Sequence, residues 1–257
     1  FSLFKDADDI RARPQAHTED LKGKIITTLF YEPSTRTRLS FETAIMKLGG
    51  NVVSTENAKE FSSAIKGESL QDTIRVVSSY CDCIIMRHYE DGAAKIASEV
   101  TEKPIINAGD GKGQHPTQAL LDLYTIYKEI GKIDGIKIAL VGDLSSGRTV
   151  RSLCYLLGKF NDIKIVFVSP DNLKIKQDIK DYLTKHNVKF REENNLNSVL
   201  PTVDVVYMTR IQKERISHED YEKAIGKFFI NESNLNLIPK KSIILHPLPH
   251  VEEIDLP

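Results

Sequence analysis

The sequence predicts an α/β protein with two domains, each a mostly parallel β-sheet flanked by helices. Short runs rich in Ile and Val alternate with longer segments of helical period, which is typical of βα units. The 257 residues exceed the roughly 150 expected of one average domain. The stretch KEIGKIDGIKIALVGD places two glycines and an aspartate between a long helix and a new strand. We therefore predict domains at residues 1–127 and 128–257.

Each strand is predicted from a short apolar run bounded by polar or turn residues. In chain order the predicted strands are Lys24–Phe30, Asn51–Ser54, Asp82–Met86, Pro104–Ile106, Ile136–Val141, Ile163–Val168, Val203–Met208 and Ser242–Leu245. Helices are predicted where a start signal or an apolar period of 3.6 residues occurs. These helices are Thr35–Leu48, Ser69–Ser79, Gly92–Ser98, Pro116–Ile130, Gly147–Lys159 and Leu173–His186.

Two of these helices carry an apolar stripe with the spacing i, i+3, i+4, i+7. The first stripe is Phe41, Ala44, Ile45 and Leu48, and the second is Leu120, Leu123, Tyr124 and Tyr127. Both stripes are predicted to face the core.

Composition excludes several classes of function. Lys and Arg total 35 against 36 Asp and Glu, so the net charge of -1 gives no overall attraction to nucleic acid or an anionic membrane. The three cysteines are expected to be free and buried, and no Cys or His pair has metal-ligand spacing. No apolar run reaches the ~20 residues of a membrane span, and FSLFKDADDI lacks a signal-peptide core. We predict a cytoplasmic protein without a metal site, in which any anion site is local.

The stretch EPSTRTRLSF predicts such an anion site. Ser34 is a good N-cap, but capping does not explain two arginines at a helix N-terminus, where the dipole disfavours cations unless an anion lies between them. Arg36 and Arg38 are about 200° apart around a helix, so at most one points squarely at the anion. We expect this to be Arg36.

A glycine-rich loop precedes the next helix start, NAGDGKGQHPTQ. Pro116 suits the first helical position. His115 in the turn and Gln118 three residues later can present polar atoms from the same helix end, which suits a carbonyl and an amide.

The stretch VGDLSSGRT follows a strand and opens a helix, and it differs by one residue from a Walker phosphate loop, which has Lys in place of Arg148. The planar fork of Arg matches a carboxylate better than the point charge of Lys does. The substitution favours carboxylate recognition, and a nucleotide hydrolase remains the rival enzymatic function.

Two further strands run into polar residues at their carboxyl ends, where open α/β sheets bind ligands. Arg210 and Gln212 follow one strand and would share a face if the extended backbone continues. The other strand ends in HPLPH, in which two prolines remove backbone donors and leave the Pro247 and Leu248 carbonyls as acceptors for an amine or amide.

Together, FYEPSTRTRLSFETA, KGESLQDTIRV, IIMRH, NAGDGKGQHPTQALLDLYTI, MTRIQKER and HPLP closely resemble the catalytic chain of the aspartate carbamoyltransferases. The matches keep one order over nearly the whole chain. The S-T-R-T-R and H-P-x-Q elements also occur in ornithine carbamoyltransferases, whereas H-P-L-P and M-T-R-x-Q-x-E-R are typical of the aspartate branch.

The resemblance implies transfer of a carbamoyl group from carbamoyl phosphate to the α-amino group of L-aspartate, for pyrimidine synthesis, without a cofactor or metal. It assigns catalysis to Arg36, Thr37, Arg87, His115 and Lys66. Carbamoyl phosphate would contact Ser34, Thr35, Arg36, Thr37, Arg87, His115, Gln118 and the backbone of Leu248 and Pro249, with a cis bond between the last two.

It also implies a homotrimer whose active sites are shared, alone or with regulatory chains in a larger assembly. Aspartate would be held by Arg148, Arg210 and Gln212, with Ser62 and Lys66 supplied by the neighbouring subunit. Domain closure would pair Glu32 with Arg148 and Arg215.

The chain departs from the family pattern in two respects. His250 follows HPLP, where the family usually has Arg. The family also has a helical segment before the position of Phe1 and a longer C-terminal segment with a helix, both absent from this sequence. The non-enzymatic alternative is a catalytically dead homologue that binds a carbohydrate or another metabolite.

Overall fold

The structure, a computed structural model, describes residues 1–56, 58, 67–211 and 228–256. The chain divides into two compact units, residues 1–115 and 116–257. All the predicted strands are present, and within the described residues no helix is long and apolar enough to cross a membrane.

The first unit is built on a four-stranded, wholly parallel sheet in the order β2-β1-β3-β4. Its described helices and strands are α1 (Ser2–Ala12), a 3₁₀ turn (Pro14–His17), β1 (Ile25–Phe30), α2 (Thr35–Lys47), β2 (Asn51–Thr55), α3 (Leu70–Ser78), β3 (Cys83–His88), α4 (Ala93–Ser98) and β4 (Ile105–Asp110).

Successive residues of the central strands alternate between the two faces of this sheet. Leu29 and Met86 belong to a core cluster with Ile74 of α3 and with the alanines of α4. Phe30 belongs to a second cluster, to which α2 contributes Ile45. Because both faces are covered, the two central strands β1 and β3 are buried along most of their length, as in other parallel sheets.

The second unit contains a five-stranded parallel sheet in the order β10-β8-β5-β6-β7 and a two-stranded parallel sheet of β9 and β11. Its described helices and strands are α5 (Pro116–Ile130), β5 (Lys137–Val141), α6 (Arg148–Leu157), β6 (Lys164–Val168), a 3₁₀ turn (Asp171–Leu173), α7 (Gln177–Lys185), β7 (Lys189–Glu193), α8 (Leu196–Val199), a 3₁₀ turn (Leu200–Thr202), β8 (Val205–Met208), β9 (Ile230–Asn231), α9 (Glu232–Leu235), β10 (Ile243–Leu245) and β11 (Ile254–Asp255).

Strand order reverses once in each large sheet, and such switch points are where open α/β sheets bind ligands. In the first unit, β1 has β2 on one side and β3 on the other, and Phe30 pairs with Arg87 at the carboxyl ends. In the second unit, β5 lies between β6 and β8, and Val141 pairs with Met208. The loops after β1 and β3, and those after β5 and β8, therefore begin at these two positions.

The predicted stripe of the long helix is wrong by one position. The buried residues of α5 are Ala119, Asp122, Leu123 and Ile126, whereas Leu120, Tyr124 and Tyr127 are only partly buried. The observed stripe has the same spacing but includes an acidic residue, which the apolar pattern could not reveal.

Three smaller expectations also need correction. Ala44 is exposed, so of the predicted stripe of α2 only Ile45 is fully buried, while Phe41 and Leu48 are partly buried. Cys83 is only partly buried, while Cys81 and Cys154 are buried. The segment predicted as one helix over residues 173–186 begins in a 3₁₀ turn and becomes α-helical only at Gln177.

Candidate active site

The start of α2 in the first unit carries the predicted donor cluster. Ser34 is the N-cap residue, but its side chain makes no capping hydrogen bond. The amides of Thr35, Arg36 and Thr37 lie in the first turn, where an α-helix has no internal acceptor for them. The exposed Arg36 makes no hydrogen bond or ion pair with the residues that the structure describes. Hydroxyl, amide and guanidinium donors thus remain together at this end of the helix.

Arg38, two residues further on, is engaged elsewhere. Its guanidinium lies 2.9 Å from Oε2 of Glu56 and 3.5 Å from the hydroxyl of Ser54. The carboxylate of Glu42 accepts hydrogen bonds from Ser54 at 2.6 Å and from Thr28 at 2.8 Å. This network joins α2 to β1 and β2. Arg38 therefore has a structural role, which leaves Arg36 as the arginine available to an anion.

Arg87 lies at the carboxyl end of β3, with only 11% of its side chain exposed. Its Nε donates to Oε2 of Glu32 at 3.0 Å, and one terminal nitrogen lies 3.5 Å from the Ala108 carbonyl. The backbone of Tyr31 donates to the Arg87 carbonyl. Glu32, which the resemblance assigns to domain closure, is thus an ion-pair partner of Arg87 within the first unit.

His88, the next residue, is held as a structural histidine. Burial lowers its pKa, and its Nδ1 accepts a hydrogen bond from the Glu90 amide at 3.0 Å. Its ring contacts those of Tyr31 and Tyr89. The histidine beside Arg87 is therefore neutral and packed, and adds no charge to the site.

The glycine-rich loop before His115 is organised by the buried carboxylate of Asp110. One oxygen accepts from the Gln114 amide at 2.7 Å and from the Asn107 side chain, and the other accepts from the Gly92 amide. Gly111 has φ +48°, and a Cβ there would lie 2.1 Å from Oδ1 of Asp91. The loop thus requires glycine at this position and holds the buried His115 at the helix start.

Helix α5 begins at Pro116, as predicted, and carries Gln118 in its first turn. The Gln118 amide donates to Oδ1 of Asp122 at 2.9 Å, and the Tyr207 hydroxyl donates to Oδ2 at 2.8 Å. Burial raises the pKa of Asp122 to about 6, although these two hydrogen bonds oppose the shift. The carboxylate links α5 to β8 through a buried hydrogen-bond chain.

In the loop after β5, which resembles a Walker loop in sequence, backbone amides are hydrogen-bonded to a carboxylate of the loop itself. Oδ1 of Asp143 accepts from the amides of Ser145 and Ser146 at 3.1 and 3.0 Å and from the Ser145 hydroxyl at 2.9 Å. The Leu144 amide donates to the Leu173 carbonyl. A phosphate loop must turn these amides toward its ligand. The geometry therefore argues against nucleotide binding here.

Two arginines lie at the switch point of the second sheet. Arg148 is the first residue of α6 and follows the loop of β5, while Arg210 follows β8 by two residues. Both are partly buried, and both make interactions within the chain. The sheet topology thus presents both predicted aspartate ligands at neighbouring strand ends.

The turn after β10 has the predicted cis peptide bond between Leu248 and Pro249. The Leu248 amide donates to Nδ1 of His246 at 2.8 Å, and Nε2 of the same ring lies 2.9 Å from Oε1 of Glu253. Burial would raise the pKa of the Glu253 carboxyl, but His246 and backbone amides hold it below its usual value. The ring of His246 therefore braces the backbone whose carbonyls are the predicted acceptors.

Several predicted residues lie outside the described part of the chain, namely Ser62, Lys66, Gln212 and Arg215. Sequence reasoning missed the carboxylates that hold the donors in place, Asp110, Asp122 and Asp143. Only Asp110 carries a local signal that could have found it, since it lies between two glycines.

Comparisons with known proteins agree with this geometry. The carbamoyl-phosphate-binding domain of the aspartate/ornithine carbamoyltransferases matches residues 1–128, and their aspartate/ornithine-binding domain matches residues 134–256. Aspartate carbamoyltransferase 3, chloroplastic, of Pisum sativum is 57% identical over 99% of this chain. The match covers 65% of that relative, less than two thirds of its length. The catalytic subunit from Methanocaldococcus jannaschii is 56% identical over 91% of this chain and 76% of its own.

Solved structures give the same result. The catalytic subunit of M. jannaschii aspartate transcarbamoylase has a TM-score of 0.90 and 52% identity, covering 99% of this chain and 83% of its own. An aspartate transcarbamoylase from Trypanosoma cruzi, in complex with carbamoyl phosphate and aspartate, has a TM-score of 0.90 at 39% identity, covering 99% and 81%.

The chain has an arginine at a helix start and two arginines at a switch point, and it shares its fold with carbamoyltransferases at 39–52% sequence identity. These features define a member of the carbamoyltransferase class. This chain belongs to the aspartate/ornithine carbamoyltransferase family. The relatives named above are all aspartate carbamoyltransferases (aspartate transcarbamoylases), on the branch that HPLP and MTRIQKER indicate.

Proposed function

We propose that this chain is the catalytic chain of an aspartate carbamoyltransferase, which transfers the carbamoyl group of carbamoyl phosphate to the α-amino group of L-aspartate. The products are N-carbamoyl-L-aspartate and phosphate, a step of pyrimidine synthesis. The observation that carries the proposal is Arg36, which makes no hydrogen bond or ion pair with the described residues, whereas Arg38 and Arg87 form ion pairs with Glu56 and Glu32.

Carbamoyl phosphate is bound mainly by residues 1–127 in this proposal. The hydroxyls and amides of Ser34, Thr35 and Thr37 hold the phosphate, as helix N-termini do with anions. Arg36, Thr37 and His115 donate toward the carbonyl oxygen, and Arg87 adds a fixed positive charge. The acceptors of Gln118 and of the Leu248–Pro249 backbone face the carbamoyl amide.

Aspartate is bound by residues 128–257 and by a neighbouring subunit. The planar guanidinium groups of Arg148 and Arg210 suit its two carboxylates because each offers paired donors. Gln212 adds a further contact, and Ser62 and Lys66 come from the adjacent chain. These last three assignments rest on the sequence match alone.

The chemistry needs orientation and charge stabilisation. The α-amino nitrogen attacks the carbamoyl carbon, the C–O bond to phosphate breaks, and negative charge develops on the carbonyl oxygen. Donors fixed in advance around that oxygen lower the barrier, and holding both reactants converts a bimolecular step into an intramolecular one. The departing phosphate dianion accepts the amine proton.

The assembly we propose is a homotrimer with shared active sites, with regulatory chains as an addition in a larger complex. For the compartment, the sequence favours the cytoplasm, whereas the pea and Arabidopsis relatives are named chloroplastic. Fractionation of source cells, followed by immunodetection, distinguishes the two locations.

The test of the function is a paired turnover assay. Carbamoyl phosphate is supplied with L-aspartate or with L-ornithine, and both phosphate release and the carbamoylated amino acid are measured. Turnover with aspartate alone supports the proposal. Preferred turnover with ornithine, or Mg²⁺-dependent ATP hydrolysis in its place, would overturn it, and ligand binding without turnover would favour the non-enzymatic alternative.

A further inference from the structure

Asp122 is a buried carboxylate inside the second unit, and its presence there requires a reason. Only 5% of Asp122 is exposed, and Tyr207 beside it is fully buried. Burying a carboxylate is costly even when it is hydrogen-bonded, and an apolar residue of similar size is often as stable or more stable. The position lies on the core-facing stripe of α5, where Ala119, Leu123 and Ile126 are the other buried residues.

Both oxygens of this carboxylate are engaged. Oδ1 accepts from the Gln118 side-chain amide at 2.9 Å, and Oδ2 accepts from the Tyr207 hydroxyl at 2.8 Å. Tyr207 pairs with Leu140 in the centre of the five-stranded sheet, so it is anchored on a rigid element. Because Oδ2 is tied to the sheet, the carboxylate cannot rotate away from Gln118.

An ionised carboxylate is an acceptor only, so it fixes the orientation of an amide that contacts it. Gln118 must turn its NH₂ group toward Asp122, and its carbonyl oxygen is then directed away as an acceptor. Without the carboxylate, the amide can flip and present a donor in the same place. The ring of His246 lowers the pKa of Asp122 through a charge interaction, which favours the ionised form.

We propose that Asp122 is a positioning residue, which locks the Gln118 amide with its carbonyl oxygen toward the NH₂ group of the carbamoyl substrate. This inference rests on the proposed function and deepens it. The carbamoyl NH₂ is a donor, and a flipped Gln118 would place a second donor against it. An unsatisfied polar contact of that kind is expensive in a site closed to water.

The first experiment compares Asp122→Asn in the wild-type and Gln118→Ala backgrounds. The asparagine is nearly isosteric but lets the Gln118 amide adopt either orientation. We expect Asp122→Asn to lower kcat/KM for carbamoyl phosphate about 10- to 50-fold in the wild-type background. In the Gln118→Ala background the fall should be less than about two-fold, because Asp122 acts through its contact with Gln118, which is already lost there. An equal fall in both backgrounds would show a merely structural role and overturn the proposal.

Asp204→Asn is the matched control. Asp204 accepts a hydrogen bond from the Lys137 amide at the opposite end of the same strand pair, so the substitution perturbs β5 and β8 away from the site. It should leave kcat/KM within about two-fold. If Asp122→Asn does not fold, Tyr207→Phe provides the same double-background comparison by releasing only Oδ2, with a fall of about three- to ten-fold expected in the wild-type background.

A second readout does not depend on turnover. The side-chain amide signals of Gln118, assigned by their loss in Gln118→Ala, are followed by NMR in ¹⁵N-labelled protein. Asp122→Asn should shift both signals and speed their exchange with water. Unchanged signals in Asp122→Asn would overturn the positioning role even in an active enzyme. Shifted signals in that variant, combined with a wild-type protein that transfers no carbamoyl group, would show that Asp122 holds Gln118 but would refute the proposed function.

Discussion

Arg87 donates from Nε to Oε2 of Glu32 over 3.0 Å, and this ion pair connects the loop after β1 with the end of β3. It gives Glu32 a partner within the first unit. The resemblance to the family instead pairs Glu32 with arginines of the second half when the domains close. The two roles make different kinetic predictions, since one concerns carbamoyl phosphate and the other concerns aspartate.

Glu32→Gln should therefore raise the KM of carbamoyl phosphate about five-fold, because a partly exposed ion pair is worth about 1 kcal/mol. Steady-state kinetics with each substrate varied in turn provide the measurement. Glu56→Gln, which removes the partner of Arg38 at the same sheet edge, is the control and should change this KM less than two-fold. A rise confined to the KM of aspartate would favour the closure role.

Arg36→Ala should lower kcat about 100-fold or more, as loss of one oxyanion donor does in other enzymes. Arg38→Ala removes an equal charge two residues away, but its guanidinium is held by Glu56 and Ser54. That variant should lose thermal stability and keep kcat within a few-fold. Equal losses of kcat in the two variants would contradict the assignment of Arg36.

Arg148→Lys recreates a Walker-like sequence, yet it should create no ATPase. The Asp143 carboxylate already occupies the amides of Ser145 and Ser146 that a phosphate would need. The variant should also raise the KM of aspartate, since a point charge replaces a planar fork. Measured ATP hydrolysis by this variant would favour the rival hypothesis that the chain is a nucleotide hydrolase.

Asp122 should make stability depend on pH. Its folded-state pKa of about 6 lies above the ordinary value of 3.8, so its stabilising contribution is complete below about pH 4 and is lost as pH rises through 6. The loss at neutral pH is about 3 kcal/mol. Urea unfolding from pH 4 to 7.5 should show Asp122→Asn gaining stability relative to wild type over this window.

Tyr207→Phe sharpens the test of that pH dependence. It removes a hydrogen bond that lowers the pKa of Asp122, so the loss of stability should shift to higher pH. Parallel pH curves for wild type and Asp122→Asn would refute the titration of Asp122.

Shared active sites predict recovery of activity on mixing. Arg36→Ala chains and Lys66→Ala chains should each be almost inactive, while hybrid trimers contain some sites free of both changes if Lys66 serves the neighbour. Phosphate release is measured after mixing and reassembly. Verified hybrid trimers without recovered activity would place each complete site within one chain.

Most of the fold could be predicted because buried parallel strands are continuous apolar runs, as in β5, β6 and β8. Edge strand β7, Lys189–Glu193, was not predicted because its sequence KFREE is charged and largely exposed, which protects a sheet edge. Helix α1 was missed because it buries only Phe4 and therefore shows little apolar pattern.

The donors of the site could be predicted from sequence, but the groups that orient them could not. An arginine at a helix start, such as Arg36, is disfavoured by the helix dipole, so its presence indicates a bound anion. An aspartate such as Asp110 or Asp122 usually indicates solvent exposure, and only the fold brings its partners within hydrogen-bond distance. The side-chain pairing of Arg87 with Glu32 joins residues 55 positions apart along the chain, beyond the reach of local patterns.

The strand order of the second sheet also determines how late in translation its central strand, β5, can pair with both of its neighbours. Strand β6 follows β5 closely in the sequence, so it can pair with β5 early in translation. The other neighbour of β5 is β8, so Ile138 of β5 can pair with Val205 only after about 65 further residues have been synthesised. No strand pair in the described sheets is a hairpin, so every contact requires a crossover, and such distant contacts form slowly. Tyr207 and the strand end that leads to Arg210 therefore pair with β5 only after β8 has been synthesised, and until then one edge of the apolar strand β5 has no neighbour.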